Sequence, residues 1–80
     1  MSLYVSIIKK HDDDTEAIFK YGEINQETGE LLVNKKLKAI RCIKPSNSKI
    51  DLALYLAAAA RIKKIANTTN EFPNKIVYTS

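Results

Sequence analysis

Apolar and polar residues alternate through most of the first half of the chain, with the period of two that is typical of β-strands. The alternation runs over residues 3–10, stops at the aspartate-rich residues 11–14, and resumes over residues 15–25. Aspartate clusters favour turns because their short side chains form hydrogen bonds to the nearby backbone. We therefore predict two strands joined by an acidic loop. The residues expected on their apolar faces are Leu3, Val5, Ile7, Ala17, Phe19 and Tyr21.

A turn signal separates the second strand from a third one. Residues 25–30 read NQETGE, in which Asn25 suits a side-chain turn and Gly29 can adopt the positive φ that a hairpin turn requires. Residues 30–33 then form the partner strand. A further alternating segment, residues 37–44, has no clean apolar face, so we expect either a second tight turn before it or a bulge within one long strand.

The second half of the chain contains one predicted helix, residues 48–66, and one last short strand, residues 75–79. Ser48 and Asp51 fit a capping box at the start of the helix, and lysines near its end suit the helix dipole. The order β-β-β-(β)-α-β over residues 1–80 predicts a single small α+β domain. We expect a two-layer sandwich, in which one helix packs on one face of a three- to five-stranded, mainly antiparallel sheet.

The predicted helix is apolar on two opposite sides. Leu52 and Leu56 project roughly 200° to 240° round the helix from Ile50, on the side away from the expected core. Burying a leucine side chain is worth about 1.5–3 kcal/mol, so this second side is a substantial feature of so small a domain. The core-facing stripe is Ile50, Leu54, Tyr55, Ala58, Ile62 and Ile65. The second side, named here the outer helix flank, is Leu52, Leu56, Ala59 and Ala60.

Three explanations compete for the outer helix flank. The C-terminal strand or the acidic loop covers it within the monomer, or a second copy packs against it symmetrically. In the third, a different protein docks there or the leucines are simply exposed. Domains of about 60 residues bury only about 60% of their unfolded surface. A single cysteine excludes an internal disulfide as a source of additional stability. We therefore expect that association with another chain, through the outer helix flank, stabilises the domain.

Charge is distributed unevenly along the chain. Residues 1–30 carry three basic and seven acidic side chains, a net charge of −4, whereas residues 31–80 carry ten basic and two acidic side chains, a net charge of +8. A basic strand can follow a phosphate backbone, although edge-strand lysines also prevent aggregation between sheets. Aromatic residues that would stack on bases are not interleaved with the basic run. The candidate nucleic-acid contacts are Lys35, Lys36, Lys38, Arg41, Lys44, Lys63 and Lys64.

No set of residues predicts catalysis, a cofactor or a metal site. Cys42 and His11 are the only cysteine and histidine, short of the four ligands usual at a structural zinc. Within an alternating strand, we expect Cys42 to be a small buried residue rather than a nucleophile. The adjacent acids of residues 12–14 rarely converge on one cation, and two glycines are too few for a phosphate-binding loop. We therefore predict a protein that is not an enzyme and binds no small-molecule substrate.

The hydropathy of the chain, its first residues and its single cysteine predict where the protein acts, and a function is then inferred from the features described above. The sequence has neither a run of about 18 apolar residues nor a signal-peptide pattern, and an unpaired cysteine suits a reducing compartment, so we expect a cytoplasmic protein without a membrane partner. The leading hypothesis is a small non-catalytic protein-binding module of the inhibitor, immunity-protein or regulatory-subunit type, which binds a second copy or another protein. The alternative is a nucleic-acid-binding module that uses the basic strand and the helix end.

Overall fold

The computed structural model describes residues 3–69 and 71–79 and contains five strands and one helix. The elements are β1 (Tyr4–Asp12), β2 (Glu16–Glu23), β3 (Gln26–Asn34), β4 (Ala39–Lys44), α1 (Asp51–Ala66) and β5 (Lys75–Thr79). They follow the predicted order, with β4 present as a separate strand. The α+β sandwich is therefore confirmed.

The strands form one antiparallel sheet in the order β4-β3-β2-β1-β5. The first four strands are neighbours because short turns join them, and β5 pairs with β1 only after the chain has passed through α1. The helix thus connects the two edges of the sheet and crosses one of its faces. β4 and β5 are the two edge strands.

The core lies between that face of the sheet and α1. Every second side chain of the central strands points toward α1 and packs against one face of the helix. On that face Leu54, Ala58 and Ile62 are fully buried. Phe72, in the segment before β5, closes the core with its ring edge-on to Phe19 at 5.2 Å between centroids. The buried strand residues are Val5, Ile7, Ala17, Phe19, Tyr21, Leu31 and Val33.

The β2–β3 hairpin turns at a different place from the prediction. The two-residue turn is Ile24 and Asn25, and Asn25 has a φ of 66°, so asparagine supplies the positive φ that was expected of Gly29. Gly29 lies within β3 opposite Tyr21. A Cβ atom on Gly29 would stand 2.5 Å from two atoms of the Tyr21 ring. Glycine is needed here for the close approach of that ring, not for the turn.

The predicted capping box is also wrong. The N-cap residue is Ile50, which forms no side-chain cap, and the helix begins only at Asp51. The Asp51 carboxylate accepts hydrogen bonds from Ser46 and Tyr21, while the Ser48 hydroxyl oxygen accepts one from the Ile50 amide at 3.1 Å. Because it precedes the helix, Ile50 is 46% exposed and does not belong to the core-facing stripe.

The acidic loop is shorter than predicted, since β1 continues through Asp12. Asp13 then organises the turn: one of its carboxylate oxygens accepts hydrogen bonds from the amides of Thr15 and Glu16, both at 2.8 Å. Asp12 forms ion pairs with Lys35 and Lys9. These contacts join the acidic loop to the turn after β3.

The two leucines at either side of α1 should differ sharply in their contribution to stability. We expect Leu54→Ala to lower the free energy of unfolding by about 2–5 kcal/mol, because it leaves a cavity in the core. Leu52→Ala, two residues away in the same helix, should change it by no more than about 0.5 kcal/mol, since Leu52 is 68% exposed. Urea unfolding followed by circular dichroism measures both. Equal losses would show that Leu52 is covered in solution.

Candidate interaction surface

The outer helix flank is exposed in the folded chain. Leu52 is 68% exposed and Leu56 is 56% exposed, and both point away from the sheet because they lie about half a turn from Leu54. β5 does not cover them, since it pairs with β1 at the far edge of the sheet from β4. The acidic loop does not cover them either, because Asp13 binds its own turn. Within the described residues, the explanation by internal cover is therefore excluded.

A groove separates this flank from β4. Its helix wall is formed by Tyr55, Leu56, Ala59 and Ala60, and its strand wall by Ala39 and Ile40. Lys38 and Lys63 also line the groove. The residues that line the groove are therefore mostly apolar, with two lysines among them.

β4 itself is the most exposed strand of the sheet. Five of its six residues are exposed, and only Ile40 is partly buried. Cys42 is among the exposed residues, which corrects the expectation that it is buried. The physical reason is its position on an edge strand: Cys42 pairs with the buried Leu31 and so points to the helix side of the sheet, but the part of the chain that the structure describes places no strand beyond it.

A hydrogen-bonded cluster holds α1 against the sheet at the start of the groove. Oδ1 of Asp51 accepts hydrogen bonds from the Tyr21 hydroxyl at 2.8 Å and from both the amide and the hydroxyl of Ser46 at 2.7 Å. The Tyr21 oxygen also lies 3.7 Å from the sulfur of Cys42. The cluster therefore connects β2, β4, the loop after β4 and the first turn of α1.

The ionisation of the cluster reflects its burial and its hydrogen bonds. Desolvation of Asp51 opposes its charge, but the hydrogen bonds donated by Ser46 and Tyr21 outweigh this effect and lower the pKa of the carboxyl group. Burial, reinforced by the hydrogen bond to Asp51, raises the pKa of the Tyr21 phenol far above its ordinary value. Asp51 is thus the charged acceptor and Tyr21 the neutral donor at neutral pH, which is the arrangement of a structural anchor.

The predicted nucleic-acid contacts fall on different sides of the molecule. Lys35 is paired with Asp12 and lies over the ring of Phe72 at 5.7 Å. Arg41 pairs with Leu32, on the face of the sheet opposite α1, which we name the open sheet face. Lys38 and Lys63 border the groove instead. The remaining three are Lys36 in the turn after β3, Lys44 opposite Glu30 at the end of β4, and Lys64 in the last turn of α1.

Among residues 3–69 and 71–79, no three side chains of histidine, cysteine, aspartate or glutamate are grouped so as to hold a metal ion. Hydrogen bonds from Glu16, His11 and Thr15 instead lower the pKa of Asp13 within the acidic loop. The helix that the structure describes falls short of the length and hydrophobicity needed to cross a bilayer.

The outer helix flank can be predicted from the sequence, whereas the groove and the hydrogen-bonded cluster around Asp51 cannot. Tyr21, Ser46 and Asp51 are separated by 25 and 5 positions, and no local pattern announces that they meet. The groove can be predicted only if the order of the strands is known, because β4 leaves an open edge beside α1 only as an edge strand. No family model matches the chain, and neither a curated protein nor a solved structure matches it significantly.

Removal of the Tyr21 hydroxyl should weaken the attachment of α1. We expect Tyr21→Phe to lower the free energy of unfolding by about 1.5–3 kcal/mol, the range for a hydrogen bond to a charged group. Because the folded-state pKa of Asp51 is depressed, the stability that its charge provides is present above its unfolded pKa of about 4 and is lost as the pH falls through the folded-state value. The deficit of Tyr21→Phe should therefore shrink on acidification.

Urea unfolding of both proteins between neutral and acidic pH measures this difference. Tyr55→Phe is the matched control: the Tyr55 ring packs against Tyr21 at 5.7 Å between centroids, but its hydroxyl forms no hydrogen bond to the described residues. We expect this control to change stability by no more than about 0.5 kcal/mol. A Tyr21→Phe deficit that stays constant with pH would contradict the assignment of Asp51 as the charged acceptor.

Proposed function

We propose that this protein is a small, non-catalytic protein-binding module that acts by occupying the surface of another protein chain. The observation that carries the proposal is the exposure of Leu52 and Leu56 on a helix whose other side is fully used in the core. Ala59 and Ala60 extend this apolar surface toward β4. Contiguous apolar surface on a compact domain is typical of a contact site for another protein.

The energetics favour a partner over solvent. Covering the exposed part of two leucines contributes up to about 1.5–3 kcal/mol for each side chain, a large gain for an 80-residue domain. The helix is rigidly attached, since Asp51 is bound to Ser46 and Tyr21 at its first turn. A rigid apolar surface loses little conformational entropy when it binds. We also propose that the protein acts in the cytoplasm, where a reducing environment suits the exposed thiol of Cys42.

If the outer helix flank binds a partner, charged residues introduced there should abolish the binding. The tagged protein, used as bait in a lysate of the cells that make it, should retain a stoichiometric partner, or should sediment as a dimer. The double variant Leu52→Asp with Leu56→Asp should lose that partner by at least about tenfold in affinity, because two buried carboxylates would lie in the interface. Sedimentation and quantitative pull-down measure the two cases.

The matched control is Ile24→Asp. Ile24 is 45% exposed and lies in the β2–β3 turn, which tolerates aspartate. This variant should retain the partner, and circular dichroism should show all variants folded. A folded double variant that retains the partner as well as the native protein does would refute the role of the outer helix flank.

Binding to nucleic acid is the second candidate, favoured by the open sheet face. Arg41 is exposed there and Lys20, at the centre of the same face, is exposed as well. Exposed cations on an open sheet can contact phosphates. Against this, Lys10 and Glu30 form an ion pair at 3.1 Å on that face, which neutralises part of its charge.

A titration against mixed single-stranded DNA and RNA tests this candidate. Binding should be detectable at about 50 mM salt and should fall steeply as salt rises. Lys36→Glu with Arg41→Glu should weaken it by about tenfold, since two cations become anions. Absence of binding at low salt, or binding that is unaffected by the two substitutions, would remove the candidate.

A further inference from the structure

The free edge of β4 and the groove beside it form one surface. Among residues 3–69 and 71–79, β4 pairs with β3 alone, so its other side presents backbone N–H and C=O groups over Ala39–Lys44 that no described strand pairs. The apolar wall of Leu56, Ala59 and Ala60 stands directly beside this edge. An added strand would therefore find backbone partners along β4 and an apolar surface under every second side chain.

The two sides of β4 have different chemistry. Ile40 and Cys42 pair with the buried Val33 and Leu31 and so face the helix, on the groove side. Arg41 faces the open side with its exposed guanidinium group, and Lys44 pairs there with Glu30. A strand added to β4 would thus place one set of alternating side chains on an apolar wall and the other set beside cations.

Charge decides which kind of chain fits. Residues 31–66, which include β4, the turn before it and α1, contain nine lysine or arginine side chains and one acid. That acid, Asp51, is occupied by Ser46 and Tyr21. A second copy that paired β4 with β4 would bring Arg41 and its basic neighbours against their own counterparts, and like charges across a strand pair are destabilising. The complementary partner is acidic.

The opposite edge of the sheet lacks this combination. At β5 the Arg61 guanidinium of α1 lies over the Tyr78 ring at 5.3 Å. β5 is also the shortest strand, with five residues. A partner strand at this edge would meet the Arg61 guanidinium and the Tyr78 ring instead of the wall of Leu56, Ala59 and Ala60, so β4 is the favoured edge.

We propose that β4 binds an extended segment of another protein whose residues alternate between apolar and acidic, with the apolar side chains in the groove and the acidic ones on the open sheet face beside Arg41, while Lys38 at the groove adds to the attraction. This inference rests on the proposed protein-binding function and names the chemistry of its partner. Backbone pairing provides the attachment, and the basic residues select the sequence. Nucleic acid fits the same surface less well, because it offers no alternating N–H and C=O groups to the strand.

The experiment uses a labelled peptide of about nine residues that alternates valine and glutamate, the length of an ordinary strand. Fluorescence anisotropy measures its affinity, and hydrogen exchange of the protein amides by NMR identifies where it binds. We expect slower exchange in β4 and not in β5. A peptide with lysine in place of glutamate, and one with alternate peptide nitrogens methylated, should each bind at least about tenfold more weakly.

Two pairs of charge-reversal variants distinguish contacts of the peptide with the cations at β4 from its attraction to the net charge of the protein. Lys38→Glu with Arg41→Glu should weaken binding of the valine–glutamate peptide by about tenfold. Lys49→Glu with Lys64→Glu makes the same change in net charge at exposed positions outside the groove, and it should alter the affinity by no more than about twofold.

Several results would overturn the inference: no binding of the valine–glutamate peptide, equal binding of the lysine peptide, or protection in β5 instead of β4. Dimerisation through β4 in sedimentation, or preferential binding of single-stranded RNA to the β4 amides, would do so as well. The proposed function is tested separately. If the Leu52→Asp, Leu56→Asp variant loses its native partner while the Lys38→Glu, Arg41→Glu variant retains it, the β4 inference fails and the protein-binding function stands.

Discussion

The hydrogen bond from Tyr21 to Asp51 is the interaction on which the arrangement of this domain depends. The tyrosine side chain rises from the middle of the sheet, and it has room to do so because Gly29, opposite it in β3, carries no side chain. Its hydroxyl binds the carboxylate that begins α1, and the same carboxylate binds Ser46 in the loop after β4. One acidic side chain therefore links the start of the helix to the sheet and to the loop after β4.

A second constraint is the ratio of helix to sheet. One helix of 16 residues lies over a sheet of five strands, so it covers only one face and presents its own outer side to the surroundings. Leu54, Ala58 and Ile62 satisfy the core. Within the described residues, no layer covers Leu52 and Leu56, and no strand pairs with the outer edge of β4. The exposed apolar surface is a consequence of the architecture, in which a two-layer domain lacks a third layer.

Much of this fold can be predicted from local patterns, and the failures share one cause. Phe19 and Tyr21 follow the period of two of a strand, and Leu54 and Ala58 follow the spacing of one helix face. Because these segments do form a strand and a helix, both patterns predict correctly that the four residues are buried. The local sequence predicts a turn at Gly29 and a helix cap at Asp51, which are common local uses of these residue types. Each is instead used in a contact with Tyr21, which is distant in sequence from Asp51. Tertiary contacts override local preference at these positions, and a single sequence carries no record of them.

The candidate surface shows the same division between local and tertiary information. Leu52 and Leu56 could be identified from helical periodicity alone, whereas the exposure of Cys42 and the groove beside Ala59 depend on the strand order. Once that order is known, the lysines and arginine around β4 have two physical consequences at the same time. They repel a second β4 edge, which protects the chain from pairing with itself, and they attract acidic chains. Protection against aggregation and the proposed selection of an acidic partner are therefore compatible explanations for this basic strand, because both would follow from the same charges.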